Sequence, residues 1–156
     1  MPKRIVTVVL ALVLIAALWW VIHRILHRDE ARVTRTVLAT ASALNDRDLD
    51  AFARFLSQDY RDEYGHSSPG ELIGTLRTLL QEIEPGSIRA RSITVEVTGD
   101  DATATFMASA QPTPNSDPAL RLYGGRAHSM RVRLLLRREP DGWHIARAED
   151  VASTMY

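Results

Sequence analysis

The hydrophobic pattern along this chain changes period several times, and each change marks an element. From Ile5 to Ile22 the sequence IVTVVLALVLIAALWWVI carries no charge and a single hydroxyl, Thr7. As a helix rising about 1.5 Å per residue it is about 27 Å long, close to the hydrocarbon thickness of a bilayer. Beyond it Val33, Val37, Leu38, Ala41 and Leu44 recur with helical spacing, while Arg32, Arg35 and Thr36 fall off the stripe. This predicts an amphipathic helix over 29–44, close to continuous with the apolar run. Asn45, Asp46 and Asp48 interrupt it, and Asp48 is placed to N-cap a short second helix that buries Leu49, Phe52, Phe55 and Leu56. A polar link, DYRDEYGH, follows.

Ser68, Pro69, Gly70 and Glu71 form a capping box with proline at the first helical position. The third helix is expected to run to about Glu84, burying Leu72, Ile73, Leu76, Leu79, Leu80 and Ile83, until Pro85-Gly86 stops it. The period then falls to two. Ile93, Val95 and Val97 alternate with polar residues, a turn at Gly99, Asp100 and Asp101 follows, and Ala104, Phe106 and Ala108 alternate in turn. A loop spans Gln111 to about Gly125. The next strand points Met130, Val132, Leu134 and Leu136 inward and Arg131, Arg133 and Arg137 outward, and Pro140-Asp141-Gly142 leads into a last strand from Trp143 to about Val151. Helices followed by an antiparallel meander make an α+β domain, with about three helices on a curved antiparallel sheet of about four strands.

Charge sharpens the reading of the N-terminus. Lys3 and Arg4 precede the apolar run; Trp19, Trp20, His23, Arg24, His27 and Arg28 close it, as expected at a membrane interface. We read residues 1–28 as an uncleaved transmembrane anchor and 29–156 as one folded domain, because the run exceeds a signal-peptide core and bulky residues stand where a cleavage site needs small ones. The expected site is a bacterial cytoplasmic membrane. The arginines after the span weigh toward a cytoplasmic domain, but the signal-anchor layout at the extreme N-terminus favours an extracytoplasmic one. Fifteen arginines after Arg28 face nineteen carboxylates, a net charge of −4 that argues against nucleic-acid binding. With no cysteine, thiolate chemistry and disulfides are excluded.

Three stretches, ALNDRDLDAFARFLSQDYRDEYG, SSPGELIGTLRTLL and MRVRLLLRREPDGWHIARAED, resemble in their order and spacing the NTF2-like superfamily, in particular domains of the ketosteroid isomerase, SnoaL and DUF4440 type. The resemblance covers about Asp29 to Val151. It implies an α+β cone whose open end holds an apolar or small polar ligand, in a fold that serves both enzymes and non-catalytic assembly subunits. Enzymatic members commonly insert a hairpin before the capped helix; here Asp59 to Ser67 leaves room for one short strand at most.

The densest polar cluster, Asp59 to His66, brings carboxylate, phenol and imidazole together. Tyr60, Asp62 and His66 are the candidate catalytic residues of a lyase or isomerase, with His66 or Asp62 as base and Tyr60 as electrophilic donor; Tyr60, Tyr64 and His66 are the candidate ligand contacts. A solvated link with one tyrosine packed beneath the helices is the competing reading. His23 and His27, four apart, make only two ligands, and His128 and His144 are expected as a solvated cross-strand pair, so neither a metal nor a cofactor is expected. The outward arginines are expected to pair with Glu149, Asp150 or Glu96. The function these features favour is a membrane-tethered, non-catalytic module that binds an envelope protein or its own copy, with a small lyase, an isomerase or a lipophile carrier as the alternative.

Overall fold

The computed structural model describes the backbone of residues 2–63, 65–114 and 128–150 and the side chains of 12–22, 28–63, 65–114 and 129–149. Its first element is one uninterrupted helix, α1 (Pro2–Asn45), so the apolar run and the amphipathic stripe share an axis. Leu12, Trp19 and Trp20 are strongly exposed, whereas Val33 and Val37 are completely buried. Among the described residues no helix is long and apolar enough to cross a membrane; the side chains of 5–11, the first part of the apolar run, lie outside them, as do those of His23, Arg24 and His27.

Asp48 caps α2 (Leu49–Ala53) by accepting a hydrogen bond from the Ala51 N–H, as expected. The helix is shorter than its apolar pattern suggested, because Leu56 belongs to a strand, β1 (Leu56–Asp62). Helix α3 (Pro69–Leu79) begins at the capping box, with a difference of one residue. The Ser68 hydroxyl accepts from the Glu71 N–H, but the Glu71 carboxylate accepts from the N–H and hydroxyl of Ser67. The helix ends five residues before Glu84, no residue within it is fully buried, and Leu79 is 43% exposed.

The sheet has five strands where four were expected: β1, β2 (Arg89–Thr98), β3 (Asp101–Ala110), β4 (His128–Glu139) and β5 (Gly142–Asp150), in the order β1-β5-β4-β3-β2. The last four form the expected antiparallel meander, but β1 adds to β5 in parallel, which makes the sheet mixed. Gly99, at φ 64°, provides the left-handed conformation that the tight β2–β3 turn requires. Of the loop expected after Gln111, residues 115–127 lie outside the described residues, as does Val151.

The core lies between the helices and one sheet face, and contains Val33, Val37, Phe52, Leu56, Tyr60, Leu134, Leu136, Trp143 and Ile145. Trp143 is buried, and the helix beside it is the stretch of α1 just beyond Arg28: it borders Arg32, Arg35 and Thr36. The Arg138 guanidinium lies 4.9 Å above its ring and pairs with the buried Asp29 of α1. At the opposite end of the sheet, the Asn45 side chain donates to the Ile88 carbonyl and accepts from the Ile88 N–H, both at 2.9 Å, fixing the end of α1 to the approach of β2.

Candidate functional site

Alternation along β1 puts Tyr60 and Asp62 on the helix side and Asp59 and Arg61 toward solvent. Tyr60 is 1% exposed. Its hydroxyl donates to Asp62 Oδ2 at 3.1 Å, and the same oxygen lies 2.6 Å from His66 Nδ1. Asp62 Oδ1 accepts from the His66 N–H, and His66 Nε2 lies 2.8 Å from the Thr75 hydroxyl on α3. An ionised carboxylate only accepts, so Nδ1 donates to Asp62, and Nε2 shares a hydrogen bond with the Thr75 hydroxyl. Burial by itself raises the Asp62 pKa, but the hydrogen bonds from the His66 N–H, the His66 ring and the Tyr60 hydroxyl more than offset it and hold the carboxyl below its ordinary value.

The structure therefore brings together three of the expected residues and adds Thr75. Tyr64 lies outside the described residues. The cluster is no wet link: the Asp62 side chain is 1% exposed. It works as a tie between β1 and α3, with each polar group engaged by another.

Beneath α3 lies a cavity of about 470 Å³. Val37, Thr40, Ala41 and Leu44 of α1, Leu72, Leu76 and Leu79 of α3, and Ala108, Met130, Val132 and Ala148 of the sheet contribute to its wall. Tyr60 borders it, but Asp62 and His66 do not, because the phenol ring stands between them and the space. The Thr40 hydroxyl is turned away to the Val37 carbonyl at 2.7 Å. Exposed Leu79 and Met130 mark the mouth, beside Glu82. Sequence reasoning expected Met130 and Phe106 inside the cone but did not see the empty space. The signal was present in the alanines Ala90, Ala108 and Ala148, which occupy inward strand positions where larger residues would fill the cone.

The outer sheet face is laced with ion pairs. Arg133 pairs with Glu149 as expected, Arg137 pairs instead with Asp101, and Arg147 bridges Glu63 and Glu149. His128 and His144 are not neighbours: antiparallel register puts His128 opposite Ala110 at one end of β4 and His144 opposite Arg137 near the other. Glu139, Asp141 and His144 place potential ligand atoms within 4.8 Å of one another at the β4–β5 turn. Coordination through Nε2 would move the ring proton to Nδ1, which is buried without a partner among the described residues, whereas the direct Nε2 bond to Asp141 at 2.9 Å uses the donor already there.

No protein-family model and no curated protein matches the sequence. Solved structures match the fold. An NTF2-like protein with a cystatin-like fold from Novosphingobium aromaticivorans is 20% identical with a TM-score of 0.66, over 86% of this chain and 90% of that one. A proposed dehydratase of the NTF2-like family from Streptomyces avermitilis is also 20% identical, with a TM-score of 0.62 over 81% of this chain and 99% of that one. An NTF2-like protein of unknown function from Pseudomonas putida is 16% identical, with a TM-score of 0.60 over 78% and 84%. Likeness at this identity concerns architecture alone, and on that ground the chain has the NTF2-like, cystatin-like α+β fold.

Proposed function

We propose that this chain is a membrane-tethered NTF2-like module that binds a lipophilic small molecule in the cavity beneath α3. The observation that carries this is the cavity itself, whose volume of about 470 Å³ falls in the range of small-molecule pockets and whose wall is almost wholly apolar. Binding rather than conversion follows from the polar cluster: Asp62 and His66 lie outside the cavity and are hydrogen-bonded to each other. The outer sheet face supports a partner-docking role less well, since Arg133, Arg137 and Arg147 already pair within the chain. The tether rests on the uncharged run from Ile5 to Ile22 and the exposure of its described part.

Native mass spectrometry of the full chain, released from detergent, tests the reading. A retained apolar adduct is expected, and its loss in an Ala108→Leu variant that narrows the cavity. A chain that emerges without adduct and takes up no lipophile from a mixed lipid extract would overturn it. Alkaline extraction of membranes tests the tether, which fails if the chain appears in the soluble fraction.

A further inference from the structure

The polar tie between β1 and α3 also holds the parts of a nucleophilic centre. Asp62 Oδ2 lies 2.6 Å from His66 Nδ1, and His66 Nε2 lies 2.8 Å from the Thr75 hydroxyl. Carboxylate, imidazole and hydroxyl thus form one chain of hydrogen bonds, in which a base reaches a hydroxyl and a third group orients the base. Exposure rises along it: the Asp62 side chain is 1% exposed, that of His66 16%, and Thr75 stands exposed on α3. The orienting end is shielded from water and the reactive end is open to it.

While the imidazole is neutral, its proton on Nδ1 faces Asp62 and Nε2 keeps a lone pair, to which the Thr75 hydroxyl donates. The Tyr60 hydroxyl and the His66 N–H add hydrogen bonds that favour the ionised form of Asp62. Approach beside the hydroxyl is unobstructed, since a Cβ placed on the adjoining Gly74 would meet nothing within 4 Å. Thr78 is exposed on the same helix, without an imidazole partner among the described residues. It serves as an internal reference for an ordinary threonine.

We infer that Thr75 is an acyl acceptor, a nucleophilic hydroxyl that takes an acyl group from an uncharged ester or thioester, with His66 as its base and Asp62 positioning His66. Thr75 Oγ attacks the acyl carbon as its proton passes to His66 Nε2; the adduct collapses, the bond to the leaving oxygen or sulfur breaks, and the leaving group takes the proton from Nε2. An O-acyl threonine and a neutral imidazole remain. The N–H groups of α3 around Thr75 are spent within the helix and offer no oxyanion pair, which confines the donor to esters and thioesters whose leaving group departs readily. Glu71, exposed one turn before Thr75 and bonded to Ser67, disfavours an anionic donor. Thr75, His66 and Asp62 lie outside the cavity, so the inference is independent of what the cavity holds.

The test treats the full chain in detergent with p-nitrophenyl acetate, an uncharged ester with a good leaving group, and maps acetylated sites by peptide mass spectrometry. Thr75 should label about a hundredfold faster than Thr78, the scale of general-base assistance. His66→Gln supplies an amide that can still hydrogen-bond but takes up no proton, and should bring the Thr75 rate down to that of Thr78. Asp62→Asn should lower the rate too, with nitrogen NMR shifts of the ring showing the proton moved from Nδ1 to Nε2. Equal labelling of Thr75 and Thr78 in the wild type overturns the inference, and so does a Thr75 rate unchanged by His66→Gln. The wild-type comparison needs no variant, so it decides even where a substitution lowers the thermal melt.

Discussion

If the space beneath α3 is empty, enlarging a residue that lines it should stabilise the protein, whereas enlarging a packed neighbour should do the reverse. Ala108 and Ala104 lie on the same face of β3. Ala108 lines the cavity and is half-buried; Ala104 is 0% exposed and does not border it. Replacing alanine by leucine adds three carbon groups, worth about 2.4 kcal/mol if all become buried at about 0.8 kcal/mol each. At a half-buried position about half of that is realised, so Ala108→Leu should gain about 1 kcal/mol and raise Tm by roughly 2–4 °C in a chain of this size. Ala104→Leu forces the same groups into filled space and should cost about 1–3 kcal/mol. Far-UV circular dichroism melts of the full chain in detergent, stripped of any bound lipophile so that lost ligand binding does not enter, measure both. Destabilisation by Ala108→Leu comparable to that by Ala104→Leu would mean that the site is packed, and the ligand reading would go with it.

Three other expectations follow from the packing. Trp143→Ala should cost about 3–5 kcal/mol by leaving a void beside α1 and removing the ring under Arg138; a melt within a degree or two of wild type would show that the ring is not part of the core. Asn45→Ala leaves the Ile88 N–H and carbonyl without their partner and should cost about 1–3 kcal/mol, with faster amide exchange at the start of β2; unchanged exchange there counts against the joint. Asp62 is less protonated folded than unfolded at the same acid pH, since its folded pKa lies below its ordinary value of 3.8. Its stabilisation is thus complete above that value and is lost as pH falls through the folded pKa. Acid unfolding of Asp62→Asn should lack this component, and identical acid profiles would contradict the assignment.

How much of this was legible in the sequence depends on whether the signal was local. Helix α1, the Ser68 cap of α3 and the β2–β3 and β4–β5 hairpins announce themselves through period and turn residues within a few positions. Strand β1 does not. Its inward residues Leu56 and Tyr60 are separated by polar Ser57, Gln58 and Asp59, and it pairs in parallel with β5, some ninety residues away, so no turn marks the pairing. The polar cluster was visible as composition, but a run of mixed charges reads as solvated until the strand's alternation turns Tyr60 and Asp62 inward. Thr75 was invisible because a threonine within a helix has no pattern to mark it. The cavity was hidden for a related reason: alternation tells which side chains face the core but not whether their summed volume fills it. Small inward residues on adjacent strands carry that information only once the register aligns them.

The unbroken course of α1 makes the domain and the apolar run a geared pair. The helix has 44 residues, a rod of roughly 66 Å at about 1.5 Å per residue, and the wall residues Val37 to Leu44 are cut into the same rod as Leu12 to Ile22. With no swivel between them, the compass bearing of the cavity mouth is set by residue count: one residue inserted within 23–27 would turn the domain by about 100° and lift it by about 1.5 Å relative to the run. Helical phase thus sets that bearing, and only insertions of near-whole turns would preserve it, whatever they do to the stability of the fold.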